Sequence, residues 1–283
     1  AADVGISVES ATDIAKDAAD IVLLDKDLGV LADGVMEGRR IFANTLKYVL
    51  MATSSNFGNM FSAAGASLFL TFLPMLPSQI LLNNLLYDVG QLAIPDDRVD
   101  DEVLARPAAW DISFVRKFMS VFGPISSIFD FMTFFVMLVI LNASHAEFRS
   151  GWFVESLATQ TLVVFVIRTR RTPFFHSRPS RAMIITPITC AVIGAVLPFS
   201  PLADTLGFTT LPISFFLILV GMIVTYLALV ESAKHRFYAA QAHPHRAPLT
   251  HEQRHQRHVN RRVARYAHHT VRTRSRHVRA GRR

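Results

Sequence analysis

Residues 114–141 read FVRKFMSVFGPISSIFDFMTFFVMLVIL. Beyond Lys117 this run carries one ionisable side chain, Asp130. It exceeds the roughly 20 apolar residues that a helix needs to cross a bilayer. Outward from it, other apolar blocks approach or meet that length at about 48–73, 78–94, 152–168, 182–199 and 211–230. The chain is 51% hydrophobic, with 22 Phe and a mean hydropathy of +0.32. That is too apolar for an ordinary soluble protein. The blocks predict a mainly α, polytopic membrane protein with six transmembrane helices.

The net charge of +7 is unevenly placed. Residues 236–283 hold 13 Arg against one acid, Glu252, a balance of +12, whereas the first 235 hold 16 Lys and Arg against 21 acids, a balance of −5. This Arg- and His-rich tail has almost no aliphatic residues, which predicts disorder. Its chemistry suits anionic lipid headgroups, and a solvated extension without a role is the plainer alternative. Within the run of arginines after Tyr238 the one interleaved aromatic is Tyr266, too few for base stacking, so no nucleic-acid partner is expected. The single cysteine, Cys190, excludes an intrachain disulfide. The opening AADVGISVES lacks the basic start and apolar core of a cleavable signal peptide.

Residues 1–35 have a different character. Val4–Val8 is a short strand candidate, Ser10 with Asp13 is placed to cap a helix to about Ala18, and Ile21–Leu24 reads as a buried parallel strand. Asp27 then opens a further helix. Such a unit is too small to fold alone, so residues 1–35 are expected to be part of a larger α/β domain. The predicted organisation is therefore 1–35, a stalk and six-helix membrane domain over 36–235, and the basic tail over 236–283. Loop charge sets the orientation. Arg39, Arg40 and Lys47 precede the first span, Arg98, Arg106, Arg116 and Lys117 lie between the second and third, and Arg168, Arg170, Arg171, Arg178 and Arg181 precede the fifth. The alternate loops are nearly free of charge, which places both ends in the cytoplasm.

Ionisable groups inside a bilayer are costly and usually face a bundle interior. Asn56 and Asn59 lie three apart in the first span, in TSSNFGNMFS, and share a helical face. Asn84 and Asp88 lie four apart in the second, in NNLLYDVGQLAIPDD, with Asn83 about a hundred degrees round. Asp130 sits midway along the third span. Glu155 and Gln160 lie in the fourth, with Glu155 expected near its outer end and able to meet water. An oxygen-only set of this kind suits a hard cation, and the sparse count of carboxylates fits Mg²⁺, which keeps part of its water shell. Such a site also accepts other octahedral ions such as Ni²⁺ or Co²⁺. Gly90 and Pro95 are expected to weaken and stop the second span, because broken membrane helices line polar cavities. The competing reading is that the amides only bridge helices.

The run AADVGISVESATDIAKDAADIVLLDKDLGVLADGVMEGRRIFANTLKYV resembles the end of the phosphorylation domain and the stalk of P-type ATPases. The stretches SSNFGNMFS, LPMLPSQILLNNLLYD and AIPDDRVDDE are most similar to the bacterial magnesium-transporting members of that family. The resemblance covers roughly residues 1–238 and implies that the six spans match the last six of that family's ten. It places Asn59, Asn84 and Asp88 at ion-ligand positions, with Asn56 and Asp130 as second-tier members. It also implies Mg²⁺ as the transported ion, residence in the bacterial cytoplasmic membrane among lipids, and a HAD-like fold for residues 1–35. Related calcium pumps have an acid at the place of Asn59; the amide favours one Mg²⁺ over two Ca²⁺.

The departures are equally specific. The family's Asp-Lys-Thr-Gly-Thr phosphorylation motif, Thr-Gly-Glu loop and nucleotide-binding domain are absent from these residues, and Asp25-Lys26 in DKDLG is no substitute. No residue is assigned to phosphoryl transfer. The chain alone is expected not to hydrolyse ATP, and an amino-terminal ATPase portion is the expected partner that binds it. The alternatives are a non-enzymatic six-span channel or structural membrane subunit, and a pump for another cation such as calcium.

Overall fold

A computed structural model describes residues 4–24, 27–105 and 107–242. Strand β1 (Ile6–Val8), helix α1 (Asp13–Asp17) and strand β2 (Ile21–Leu23) form a strand–helix–strand unit with parallel pairing, Ile6 opposite Ile21 and Val8 opposite Leu23. The helix starts at Asp13 rather than at Ser10. The reason is local: the Ala11 amide donates to the Val8 carbonyl at 2.9 Å, which turns the chain at Ser10 and leaves Thr12 as the cap. Ile6 and Ile21 remain well exposed, although parallel strands are ordinarily covered on both faces.

The Asp27 side chain accepts from the Gly29 amide at 2.7 Å and opens α2, which runs unbroken for 39 residues from Leu28 to Ala66. At 1.5 Å per residue that is about 58 Å of rod. Its first turns are mostly exposed, and burial becomes regular from Ala43 onward. The helix stops at Ala66, earlier than the apolar block extending to residue 73 predicts, because turns over 67–72 lead into Pro74 and Pro77. Pro77 opens α3 (Pro77–Gln91), where a missing amide costs nothing. The Gln79 side chain accepts from the Leu76 amide at 3.0 Å and donates to the Leu206 and Gly207 carbonyls, pinning the helix start. Helix α3 passes through Asp88 and Gly90 without a break. Gly90 serves close packing instead: a Cβ there would meet Thr161 Cγ2 at 3.5 Å and Cys190 Sγ at 3.9 Å.

After a short helix α4 (Asp101–Leu104), Asp111 caps α5 (Ile112–Phe135), which continues into a π-helical segment over Val136–Ile140. Ser144 and Glu147 form a reciprocal capping box at the start of α6 (His145–Leu162), followed by α7 (Val164–Ile167). Ser180 caps α8 (Arg181–Val196), and the short α9 (Ala203–Leu206) precedes α10 (Ile213–Ala242). Helix α6 lies at the centre, buried along nearly all its length, and Phe134, Phe148, Trp152, Phe153 and Leu157 build the apolar core around it. Gly207 links α9 to the loop beyond it at φ +72°, where L residues are strained.

Among the described residues, four helical stretches are long and apolar enough to cross a membrane: Ile112–Ile140, His145–Ile167, Arg181–Phe199 and Ile213–Ala240. Helix α3 is too short by this measure, at 15 residues, and the middle of α2 is diluted by the Ser- and Asn-rich run TSSNFGNMFS. Helices α2 and α5 touch backbone to backbone. Ser54, Gly58, Ser62 and Ala66 recur at every fourth residue of α2, and Ser127 Oγ donates to the Gly58 carbonyl at 3.0 Å. A Cβ on Gly123 would come within 2.5 Å of the Phe57 ring. Small residues permit this approach in membrane bundles. Asp25, Lys26, Arg106 and the tail from residue 243 lie outside the described residues.

Candidate functional site

Polar side chains collect where α2, α3, α5 and α6 meet. Tyr87 Oη and Ser55 Oγ are 3.0 Å apart, which fixes Asp88 on α3 about one helical turn from the level of Asn56 and Asn59 on α2. The faces differ. Asn59 is half-buried and turns toward α6, where its Oδ1 accepts from Gln160 Nε2 at 3.0 Å and Ser156 Oγ at 3.3 Å. Asn56, Asn84 and Asp88 are exposed and make no side-chain hydrogen bond among the described residues. Asn83, a hundred degrees round from Asn84, is the buried one, and its Nδ2 donates to the Phe153 carbonyl at 3.5 Å. The single face expected for Asn84 and Asp88 is thus the open face of α3.

Asp88 lines a cleft of about 510 Å³ together with Asn44, Tyr48, Gln91, Ile94 and others. Both polar atoms of the Gln91 side chain are buried there and make no hydrogen bond of ordinary geometry among the described residues. The arrangement leaves an unpaired carboxylate at the edge of a space able to hold a cation that keeps its water, which is how Mg²⁺ is commonly bound. Gln91 escaped the sequence reading although it lies three residues past Asp88, the spacing that puts two side chains on one face.

Asp130 is almost fully buried between helices, at 1% exposure. Ser62 Oγ donates to its Oδ2 at 2.6 Å and Trp152 Nε1 to its Oδ1 at 2.8 Å, so this carboxylate joins α2, α5 and α6. Glu155 is also 1% exposed, contrary to the expectation that it lies near an outer end. The cause is the start of α6 at His145, which moves Glu155 to the middle of the helix. Among the described residues, no cluster of three or more His, Cys, Asp or Glu is placed to hold a metal. Any cation bound here relies on amides, hydroxyls and carbonyls beside single carboxylates.

A second polar cluster ties the loop after α3 to α2, α7 and α10. Asp97 accepts from Arg168 Nε at 2.9 Å, Arg168 Nη2 at 3.0 Å and Lys47 Nζ at 2.9 Å. Asn44 Nδ2 donates to the Pro95 carbonyl at 2.8 Å and the Asp97 carbonyl at 3.0 Å. Asp100 accepts from Ser177 Oγ and Thr169 Oγ1. Burial alone would raise the Asp100 carboxyl, but those hydroxyls together with Arg171 and Arg168 outweigh it and hold the group below the usual carboxylate range. Lys234 Nζ donates to the Val166 and Arg171 carbonyls, each at 3.0 Å. Arg168 and Arg171 thus have pairing roles beyond the loop charge that marked them in the sequence.

Comparison with known proteins agrees with this architecture. The family described as "Cation transporting ATPase, C-terminus" matches residues 72–236. The protein named "Magnesium-transporting ATPase, P-type 1" from Escherichia coli (strain K12) is 52% identical over 238 residues, covering 83% of this chain and 26% of the relative. A protein of the same name from Salmonella typhimurium (strain LT2) is 47% identical over 241 residues, covering 84% of this chain and 26% of the relative. The "Calcium-transporting ATPase" of Bacillus subtilis (strain 168) is 34% identical over 107 residues, 37% of this chain and 12% of that protein. The chain spans about a quarter of the length of the magnesium-transporting relatives it matches, at 26%. Since the family match takes in more than half of its 283 residues, this chain belongs to the cation-transporting P-type ATPases, as part of their carboxyl-terminal region.

Proposed function

We propose that this chain is the carboxyl-terminal membrane portion of an ATP-driven magnesium transporter, and that Mg²⁺ is handled at Asn59, Asn84 and Asp88. Asn56 and Asp130 flank that set. The observation that carries this reading is the level fixed by Tyr87 and Ser55, which sets the unpaired Asp88 carboxylate beside an open cleft and about a turn from Asn56 and Asn59. One carboxylate with neutral oxygens suits a partly hydrated Mg²⁺ better than a stripped Ca²⁺. The magnesium-transporting relatives also align over far more of the chain than the calcium-transporting one.

In this reading the buried part of α2 and the short α3 cross the membrane as well, giving six spans with both ends in the cytoplasm of a bacterium. The strand–helix–strand unit completes its sheet within a phosphorylation domain carried by an amino-terminal portion, where ATP binds. The chain by itself does not turn over ATP. Membrane lipids surround the helices, and the basic tail meets anionic headgroups.

Joining this chain in frame to the amino-terminal part of a magnesium-transporting relative tests the assignment. The expected result is Mg²⁺-stimulated ATP hydrolysis that Asp88→Asn abolishes. Undiminished stimulation in that variant would overturn the site. A reporter fused after Tyr238 is expected to be active only in its cytoplasmic form, and periplasmic activity would overturn the six-span arrangement.

A further inference from the structure

Glu155 is the group that the transport reading leaves unused. It is 99% buried, and neither carboxylate oxygen accepts a hydrogen bond of ordinary geometry among the described residues, although Asp130, Thr159 and Thr133 lie close enough to interact with it. A buried carboxylate left this way is unfavourable unless a charge or proton offsets it. Its strongest neighbours are Asp130, Thr159 and Thr133, none of them cationic. Thr133 is 1% exposed, and its Oγ1 likewise has no partner. Each Asp130 oxygen accepts one hydrogen bond, from Ser62 or from Trp152, and so retains a free lone pair. Three residues beyond Thr133 the helix widens into the π-helical segment Val136–Ile140, a feature often found at functional sites.

We infer that Asp130 and Glu155, with the Thr133 hydroxyl, form a second site for a hard divalent cation between α5 and α6. The argument is one of charge and donor type. Two carboxylates in an apolar bundle, with no Lys or Arg among the groups acting most strongly on Glu155, are neutralised by a single 2+ ion. The donors are all oxygen, which excludes ions that need thiolate or imidazole. Ser62 and Trp152 hold Asp130 from two other directions, so one side of the site is already ordered. This site is distinct from Asn84 and Asp88, which lie on the exposed face of α3, and it does not depend on them.

Trp152 supplies the readout, because its indole nitrogen contacts Asp130 directly. The chain has two Trp, and Trp110→Phe removes the exposed one. In that background, in detergent or nanodiscs, paramagnetic Mn²⁺ replaces Mg²⁺ as the probe. The expected result is saturable quenching of Trp152 fluorescence, weakened about tenfold or more in apparent affinity by Glu155→Gln and unaffected by Asp88→Asn. Thr133→Val keeps the shape, and a smaller loss of affinity there guards against a folding defect in the first variant. Quenching that does not saturate, or that ignores both Glu155→Gln and Thr133→Val, overturns the site. So does quenching that disappears with Asp88→Asn, which would put the ion at the first site only. Trp152 emission that follows pH and ignores Mn²⁺ would assign the pair a shared proton instead, and the cation site would fall.

Discussion

Arg168 grips Asp97 with two parallel hydrogen bonds, Nε to Oδ2 at 2.9 Å and Nη2 to Oδ1 at 3.0 Å, and both side chains are almost completely shielded from solvent. The fork geometry of guanidinium and carboxylate makes this the strong form of an ion pair. Lys47 on α2 approaches the same carboxylate, so one acid joins the long helix to the segment after α7.

Removing one partner leaves the other buried and unpaired, which typically costs about 3–5 kcal/mol. Arg168→Met is expected to destabilise the protein by less than that, because Lys47 still pairs with Asp97. Asp97→Asn is expected to do more harm still, since it strands both Arg168 and Lys47. The double substitution Asp97→Leu with Arg168→Met still strands Lys47, but it should cost less than the sum of the two single losses. Denaturant or thermal unfolding in a defined detergent reads all three, and strictly additive losses would argue against a coupled pair.

Asp100 predicts an acid limb. Its carboxyl lies below the usual range in the folded chain, so it binds fewer protons than when unfolded. The resulting stability is present above the ordinary carboxylate value and is lost as pH falls through the folded one. The unfolding midpoint of the unsubstituted protein is expected to drop across that acid window. Asp100→Asn should lower the midpoint at neutral pH and flatten the drop.

The α2–α5 seam leaves no room for side chains. Gly123→Val would drive a Cβ to within 2.5 Å of the Phe57 ring and 3.3 Å of the Ser54 carbonyl. Overpacking of this kind costs about 1–3 kcal/mol. Gly34→Ala is the matched control, because a Cβ there meets nothing within 4 Å. Equal unfolding midpoints for the two variants would contradict the close approach.

Asn84 and Asp88 separate function from folding. Both are exposed and free of side-chain hydrogen bonds among the described residues, so Asn84→Ala and Asp88→Asn should each change stability by no more than about 0.5 kcal/mol. In the rejoined transporter the same changes are expected to remove Mg²⁺ stimulation. Loss of stimulation with an equally large loss of stability would point to a structural role.

Much of this was legible because it is local. Asp27 marks a helix start, and the four-residue spacing of Asn84 and Asp88 puts them on one face. Depth and partnership were not legible. Glu155 looked like an end residue because hydropathy begins its span at Trp152, whereas the Ser144 capping box starts the helix a full two turns earlier. Gly90 looked like a break because its composition signals weakness; its packing against Thr161 and Cys190 depends on helices far along the chain. Asp97 and Arg168 stand 71 residues apart, and no local pattern relates them.

The close approach of α2 to α5 at Gly58, where a Cβ would meet the Gly123 carbonyl at 3.1 Å, restricts how α2 can turn. A turn of one residue about its own axis, about 100°, would swing Phe57 or Asn59 into the tight space that Gly58 occupies against Gly123 and Ser126. Rotation of α2 against α5 is therefore disfavoured. Ser62 and Asp130 sit farther along the same seam. The seam therefore ties the long α2 to Asp130 on α5, the carboxylate that also reaches Trp152 on α6.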